Sequence, residues 1–329
     1  MKDKPIFIVG VQRSGTTLLR LILNAHSEIA IPEEARFLTP ILKKGSFSKI
    51  YSGNELRNVI KYLKNNSQFA LWNFDANAFY AELDRRDSIS VRDLISLMFS
   101  AYSQNEGKST WGDKSLFFGS INTLYDLFPD ARFIHIVRDG RDVFASWRKM
   151  DPSKKNPAVM AIDWVFKENS ISAAFNNLPS ANQLTIRYED LLEQPQKMVA
   201  IVCEFLEIEY EDEMLDFYKS SQRYIGEHHS ELIFNKIDSR NTKKWKTVLN
   251  RRDKAIFTHL SRSLLKQHNY ETESIQPKFF DYIAITMMIS IGLPYRAFQV
   301  IMNRVRYIQA LKHGADVKGL KVGEMPRQK

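Results

Sequence analysis

Ile6-Phe7-Ile8-Val9-Gly10-Val11-Gln12-Arg13-Ser14-Gly15-Thr16-Thr17-Leu18-Leu19 is the stretch that decides the fold. Its first four residues are apolar without alternation, which suits a strand covered on both faces, as in a parallel sheet flanked by helices. After Gly15, residues Leu18, Leu19, Ile22 and Leu23 share one helical face, so the segment reads strand, glycine turn, helix. Such a turn aims backbone N–H groups and the positive end of the helix dipole at one point, which makes it an anion site. Against the nucleotide-triphosphatase loop GxxxxGK[ST], the frame Gly10 to Gly15 matches. Thr16, however, stands where the lysine that reaches the β- and γ-phosphates belongs, and the cation is Arg13, inside the loop. A plain glycine turn has no need of Arg13, Ser14, Thr16 and Thr17, which are all anion-binding types. A phosphate is expected there, on a compound other than ATP.

Working outward, Arg132 to Val137 and Gln183 to Arg187 repeat the pattern of apolar strand, polar turn and helix, and Glu28 to Ile31 and Ser109 to Gly112 read as shorter strands. That recurrence predicts an α/β fold of P-loop type, a mainly parallel sheet flanked by crossover helices. Between the strands, 49–103 is helical in pattern and reads as a helical insertion or lid. After about Tyr270 the chain turns polar over Glu271 to Pro277, and then apolar with basic residues interspersed from Phe279 to Leu311. The expected organisation is a main domain over 1–270 and a basic, amphipathic helical C-terminal extension over 271–329.

With 329 residues, 44% hydrophobic and 26% charged, the chain can bury a sizeable core, which excludes a mainly disordered or fibrous protein. Cys203 is the sole cysteine and lies in an apolar stretch, so no internal disulfide forms and a reducing, cytoplasmic setting is expected. The start of the chain has no basic and hydrophobic leader pattern. The net charge of +9 is uneven: from Asn241 onward there are 17 Lys and Arg against 6 Asp and Glu. Charge placed in a tail points to a solvated face or weak affinity for polyanions and anionic lipids rather than to a nucleic-acid site.

The loop from Gly10 to Arg20 resembles the 5'-phosphosulfate loop of sulfotransferases that use 3'-phosphoadenosine-5'-phosphosulfate (PAPS), especially the bacterial and tyrosylprotein branch, which carries Arg in the loop. Phe128 to Ser146, with Val137-Arg138-Asp139-Gly140-Arg141-Asp142 at its centre, resembles the same family's 3'-phosphate strand, turn and helix. The resemblance covers about Pro5 to Leu249. It implies that Arg13, Ser14, Gly15, Thr16 and Thr17 cradle the 5' side, and that Arg138 and Ser146 hold the 3'-phosphate that separates PAPS from ATP. A sulfate has less charge to neutralise than a γ-phosphate, so no metal is expected. His228 and His229 are adjacent and cannot place two ligands on one face.

For chemistry, sulfuryl transfer to a hydroxyl needs a base for the acceptor proton and cations around the transferring oxygens. Ile31-Pro32-Glu33-Glu34-Ala35-Arg36 resembles the Gly-Glu-Glu-Thr-Arg segment of tyrosylprotein sulfotransferases. This implies Glu34 as base and Arg36 at the acceptor and sulfate region, with Glu33 bracing the turn. Pro32 and Ala35 depart from that segment, so a different acceptor pocket is expected. Trp111-Gly112-Asp113-Lys114-Ser115 resembles the family's lysine motif and implies Lys114 as electrophile, the bland alternative being a surface lysine paired with Asp113. Tyr188 is implied beside the cofactor, or else is a packed core aromatic. Lys244 and Trp245 are implied in a cofactor-closing loop, or else lie on a basic surface helix. His135, inside a strand, reads as core, and Asp139 and Asp142 as braces or caps.

The functional expectation is a PAPS-dependent sulfotransferase acting on a hydroxyl-bearing acceptor: a glycan, a lipid-linked or metabolite hydroxyl, or a tyrosine. The alternatives are a nucleotide-dependent P-loop kinase and a catalytically silent PAPS-binding protein. The extension at 279–311 is a candidate for peripheral contact with an anionic membrane or for homodimer packing, and its apolar core, Ile283 to Leu293, reads as too short to span a bilayer.

Overall fold

The computed structural model describes residues 4–42, 46–115, 119–151, 154–219, 234–272 and 275–314. In chain order its elements are β1 (Ile6–Val9), α1 (Thr16–Asn24), β2 (Ile29–Ala30), β3 (Ile50–Ser52), α2 (Gly53–Lys64), α3 (Ser67–Ala70), α4 (Asn77–Asp84), β4 (Ser88–Ser90) and α5 (Val91–Asn105). There follow β5 (Thr110–Asp113), α6 (Ile121–Leu127), β6 (Arg132–Val137), α7 (Gly140–Met150), α8 (Pro157–Phe175), β7 (Gln183–Arg187), α9 (Tyr188–Glu193) and α10 (Pro195–Leu206). The last are α11 (Trp245–Val248), α12 (Arg251–Gln267) and α13 (Phe279–His313).

Five strands form one parallel sheet in the order β2-β5-β1-β6-β7. All four residues of β1 are buried, because the sheet has an apolar layer on each side. Phe7 and Val9 face a core with Trp111, Phe133 and the helices of the 49–103 segment, whereas Ile6 and Ile8 face a second core with Leu19, Ile22, Ile134 and Val202. Successive strand side chains point to opposite faces, so both positions of each pair must be apolar. The loops that follow β1, β5 and β6 therefore emerge together at the carboxyl edge of the sheet, where open α/β sheets bind ligands.

Two features differ from the sequence expectation. The 49–103 segment is helical, but it also contains the antiparallel pair β3 and β4, three residues each and too short to give a periodic signal. The C-terminal apolar run does not stop at Leu293. It continues through Pro294 as one 35-residue helix that is long and apolar enough, by length and composition, to cross a membrane. The reading of Ile283 to Leu293 as an isolated, short apolar core is corrected accordingly: interspersed polar residues broke the run in sequence without breaking the helix.

Candidate active site

The loop after β1 is held in a shape few residues tolerate. Arg13 and Gly15 have φ of 75° and 95°, and a Cβ at Gly15 would lie 2.3 Å from the Tyr188 ring. With glycine there, Tyr188 packs directly under the loop and the backbone turns into α1. The strained Arg13 directs its carbonyl to Arg138, whose Nη1 donates to it at 2.9 Å, while Arg13 Nε donates to Ser146 Oγ at 3.1 Å. Arg138 also donates to the Asn241 carbonyl at 3.1 Å and lies 4.4 Å over the Tyr188 ring. Residues from β1, β6, α7, α9 and the 236–248 segment are thus tied into one wall.

That wall encloses a cavity of roughly 810 Å³, lined by Arg13, Gly15, Thr16, Thr17, Arg138, Ser146, Tyr188 and Lys244 among others. Asp142 faces Arg138 at 3.9 Å and accepts from the Trp245 backbone N–H at 2.8 Å. Burial pushes the Asp142 carboxyl up, and Arg138 pulls it back. Trp245 itself does not line the cavity: its ring is buried in the core, with the Arg141 guanidinium 3.8 Å from the ring centre. Its place in the site is through its backbone, a distinction that side-chain chemistry cannot reveal in sequence. Ser14 is fully buried, and its hydroxyl, like Arg138 Nε, has no hydrogen-bond partner among the described residues.

At the other end of the loop, Lys114 Nζ donates to Thr17 Oγ1 at 3.2 Å and to Glu34 Oε1 at 2.5 Å. Arg36 Nε donates to the second Glu34 oxygen, also at 2.5 Å. Burial resists the charge on Glu34, but the Lys114 and Arg36 cations outweigh it and hold the carboxyl down to about 2. Lys114 is 1% exposed, and its partner is Glu34, so the surface pairing with Asp113 does not occur. Asp113, also 1% exposed, accepts from Ser115 N–H at 2.9 Å and Ser115 Oγ at 2.7 Å, and Ser115 Oγ accepts from Ala35 N–H at 2.5 Å. This chain fixes the Glu34–Ala35 turn on β5. Burial pushes the Asp113 carboxyl up to about 6, only partly offset by the Ser115 bonds. Glu33 is turned away, accepting from Arg20 at 3.1 Å, while its carbonyl accepts from Trp72 Nε1 at 2.9 Å.

Asp139 caps α7 by accepting from Arg141 N–H, and it also pairs with the Arg141 guanidinium. His135 is buried beside Glu168 at 2.9 Å, inside the sheet and away from the cavity. His228 and His229 lie outside the described residues.

Sequence reasoning missed three contributions. Arg148 and Lys149 line the cavity from the same face of α7 as Asp142, Ala145 and Ser146, a spacing of three to four residues that was available as a signal. Lys236 and Asp238 line it from a segment with no motif. Burial is the main cause of the raised phenol pKa of Tyr307 in α13, and the charges of Arg36 and Glu34 also act on it. No local pattern links it to a site 271 residues away.

The model of the sulfotransferase family matches residues 5–212, well over half of the chain. The chain belongs to the sulfotransferase family. Protein-tyrosine sulfotransferase 1 of Danio rerio is 31% identical to it over 241 residues, covering 70% of this chain and 58% of the relative. Protein-tyrosine sulfotransferase A of Caenorhabditis elegans is 24% identical over 253 residues, covering 73% and 56%. The chain spans little more than half the length of these two relatives. Among solved structures, the sulfotransferase domain of the Synechococcus PCC 7002 olefin synthase superposes with a TM-score of 0.59 at 21% identity, covering 83% of this chain and 98% of that domain. The sulfotransferase domain of the curacin biosynthetic pathway gives 0.56 at 22% identity, covering 82% and 99%. Both share the parallel-sheet fold of this sulfotransferase-family chain.

Proposed function

We propose that the protein transfers a sulfuryl group from PAPS to an acceptor hydroxyl, with Glu34 taking the acceptor proton. The observation that carries this reading is the position of Lys114 Nζ, in contact with both the phosphate-loop hydroxyl of Thr17 and the carboxylate of Glu34. One buried ammonium thereby joins an anion cradle to a base. The donor fits the residues present: a phosphate would give the orphaned Ser14 hydroxyl and Arg138 Nε the acceptor they lack, and unpartnered buried donors are costly.

PAPS supplies a sulfuryl group attached to a phosphate leaving group. In this chain, the backbone and hydroxyls of Ser14 to Thr17 hold the 5' side, and Arg138 and Ser146 hold the 3'-phosphate. Tyr188 and Lys244 flank the adenosine end, and Arg13 spans the two phosphates. Trp245 supports Asp142 behind Arg138. A carboxylate held near 2 is a weak base, so Glu34 must lose a countercharge before it takes a proton. Lys114 provides this: as it turns from Glu34 toward charge growing on the leaving phosphate, Glu34 gains proton affinity when the acceptor hydroxyl needs it. Arg36 remains to orient the carboxylate. We assign 1–270 as the sulfotransferase domain and 271–329 as an extension that reaches the acceptor side through Tyr307. A single, buried cysteine fits a cytoplasmic setting.

Calorimetry with 3'-phosphoadenosine 5'-phosphate (PAP) and with ADP, each with and without EDTA, tests the donor. A charge-assisted hydrogen bond is worth about 1.5–3 kcal/mol, so PAP is expected to bind roughly 10- to 100-fold more tightly, with no effect of EDTA. Equal affinities, or strict dependence on Mg²⁺, would return the site to an ATP enzyme.

A further inference from the structure

Helix α13 carries large apolar side chains on the face turned outward as well as on the face packed against the folded domain. The face turned to the domain includes Ile285 and Met288, which pack against Ala158 and Ile256, and beyond them Gly292, Arg296, Tyr307 and Ala310. A Cβ at Gly292 would lie 2.4 Å from Val159, Arg296 pairs with Asp163 at 3.6 Å, and Ala310 enters the core beneath α2. The face turned outward carries Phe280, Met287, Ile291, Phe298, Ile301 and Ile308, which are 38–76% exposed. These six recur at intervals of three, four or seven residues and so form one stripe. Between Asp281 and Arg304 the sole charge is Arg296, and that is turned inward. An apolar stripe this long is not left to water in a soluble monomer.

The charges around the stripe select what covers it. Exposed Arg251, Arg252 and Lys278 flank its first turns, and exposed Arg304, Arg306 and Lys312 flank its last. A second copy of the helix, parallel or antiparallel, would bring these basic ends against one another. Asp281, the lone acid of α13, is buried and already paired with Arg251 and Arg252, so it could not compensate. A bilayer with anionic headgroups offers acyl chains to the stripe and negative charge to both ends. Nor does the structure suit a spanning helix: Asp281 near its start pairs with Arg251 and Arg252, Asn156 donates to the Met288 carbonyl at 3.1 Å, and Asn65 donates to the Gly314 carbonyl at 2.9 Å, so the helix is fastened to the domain at several points along its length.

We propose that α13 is an interfacial anchor, lying in the plane of an anionic bilayer with its outer stripe among the acyl chains. Because the end of α13 packs on α2, whose Tyr62 donates to the carbonyl of Phe37, next to Arg36, at 2.8 Å, the anchor lays the acceptor side of the site against the lipid surface, and the acceptor is a hydroxyl carried there. The docking stands on α13 alone, whereas the acceptor class rests on the reading of Glu34 as the base.

The full chain is to be sedimented at low salt with phosphatidylcholine vesicles, and with vesicles containing about one-third phosphatidylglycerol. It is expected to pellet with the anionic vesicles and to be released by salt. The Phe298→Glu/Ile301→Glu double variant, altered at exposed positions outside the cavity, is expected to lose vesicle binding by at least ~10-fold while keeping its melting temperature and PAP affinity. Wild-type protein left in the supernatant, or a double variant that pellets like wild type, would overturn the docking. A variant that turns a dimer into a monomer with no change in sedimentation would assign the stripe to a second copy instead. For the acceptor, radiolabelled PAPS is added to a total cell extract, and label is expected in the organic phase. Label confined to water-soluble products other than PAPS overturns the lipid-surface acceptor but leaves sulfuryl transfer standing. All label remaining as PAPS, with PAP still bound, overturns the reading of sulfuryl transfer with Glu34 as its base.

Discussion

Replacing Glu34 by Gln keeps the shape of the side chain and removes its charge, and it tests the centre of the mechanism. Loss of a positioned base costs ~10²- to 10⁴-fold in rate, about 3–5 kcal/mol of barrier. The structure adds a second cost. Glu34 is lowered from 4.5 to about 2, which at about 1.4 kcal/mol per unit is worth about 3 kcal/mol of folding stability. A depressed carboxyl contributes that stability above its unfolded value and loses it as the pH falls toward 2, so at neutral pH all of it is at stake. In the variant, Lys114 keeps its bond to Thr17 but is left buried without the carboxylate that balanced its charge. Ligand-free Glu34→Gln is therefore expected to melt early, and PAP, whose phosphate supplies a countercharge to Lys114, is expected to raise its melting point more than that of wild type. Single-turnover transfer of radiolabelled sulfate, measured with saturating PAPS on protein shown to be folded, reads the chemical step. Glu33→Gln is the control. It loses a charge to Arg20 but no contact with Lys114, so its rate is expected to stay within about 10-fold of wild type. A fast Glu34→Gln enzyme beside a dead Glu33→Gln enzyme would refute the assignment and take that of Arg36 with it.

Gly15→Ala places a Cβ 2.3 Å from Tyr188 at a φ of 95°, so PAP affinity is expected to fall at least ~10-fold by calorimetry even where the protein remains folded; unchanged affinity would mean that the loop does not hold the donor. Asp113, raised from 3.8 to about 6, carries a penalty that is absent below its unfolded value and complete above its folded one. Relative to Asp113→Asn, wild-type stability in denaturant melts is therefore expected to fall by about 3 kcal/mol as the pH rises from about 4 to about 6.5, and a constant difference would refute the shift.

The sequence by itself determined those parts of the protein whose physics is local. A run of apolar residues without alternation is a strand buried on both faces, because both faces of a parallel sheet are covered. A glycine-framed loop between that strand and a helix is an anion site, because the orphan N–H groups point one way. Arg138 and Ser146 were singled out by the resemblance of their strand, turn and helix to a family motif, and the structure brings them into one cavity with Arg13. Tertiary structure alone decided which charges meet. Lys114 could have paired with the adjacent Asp113, but β5 buries Asp113 against Ser115 and leaves the ammonium facing Glu34, 80 residues away. Trp245, implied by the family resemblance in a cofactor-closing loop, has its ring in the core and meets Asp142 through its backbone N–H. The outward apolar face of α13 was also invisible in the sequence, which shows that the helix is apolar but not which of its apolar side chains meet the domain. That choice is set by what fits against α8, α12 and α2: Ile285 beside Ala158 and Ile256, a glycine at Val159, an arginine at Asp163 and an alanine in the core, leaving the outer stripe of large apolar side chains exposed.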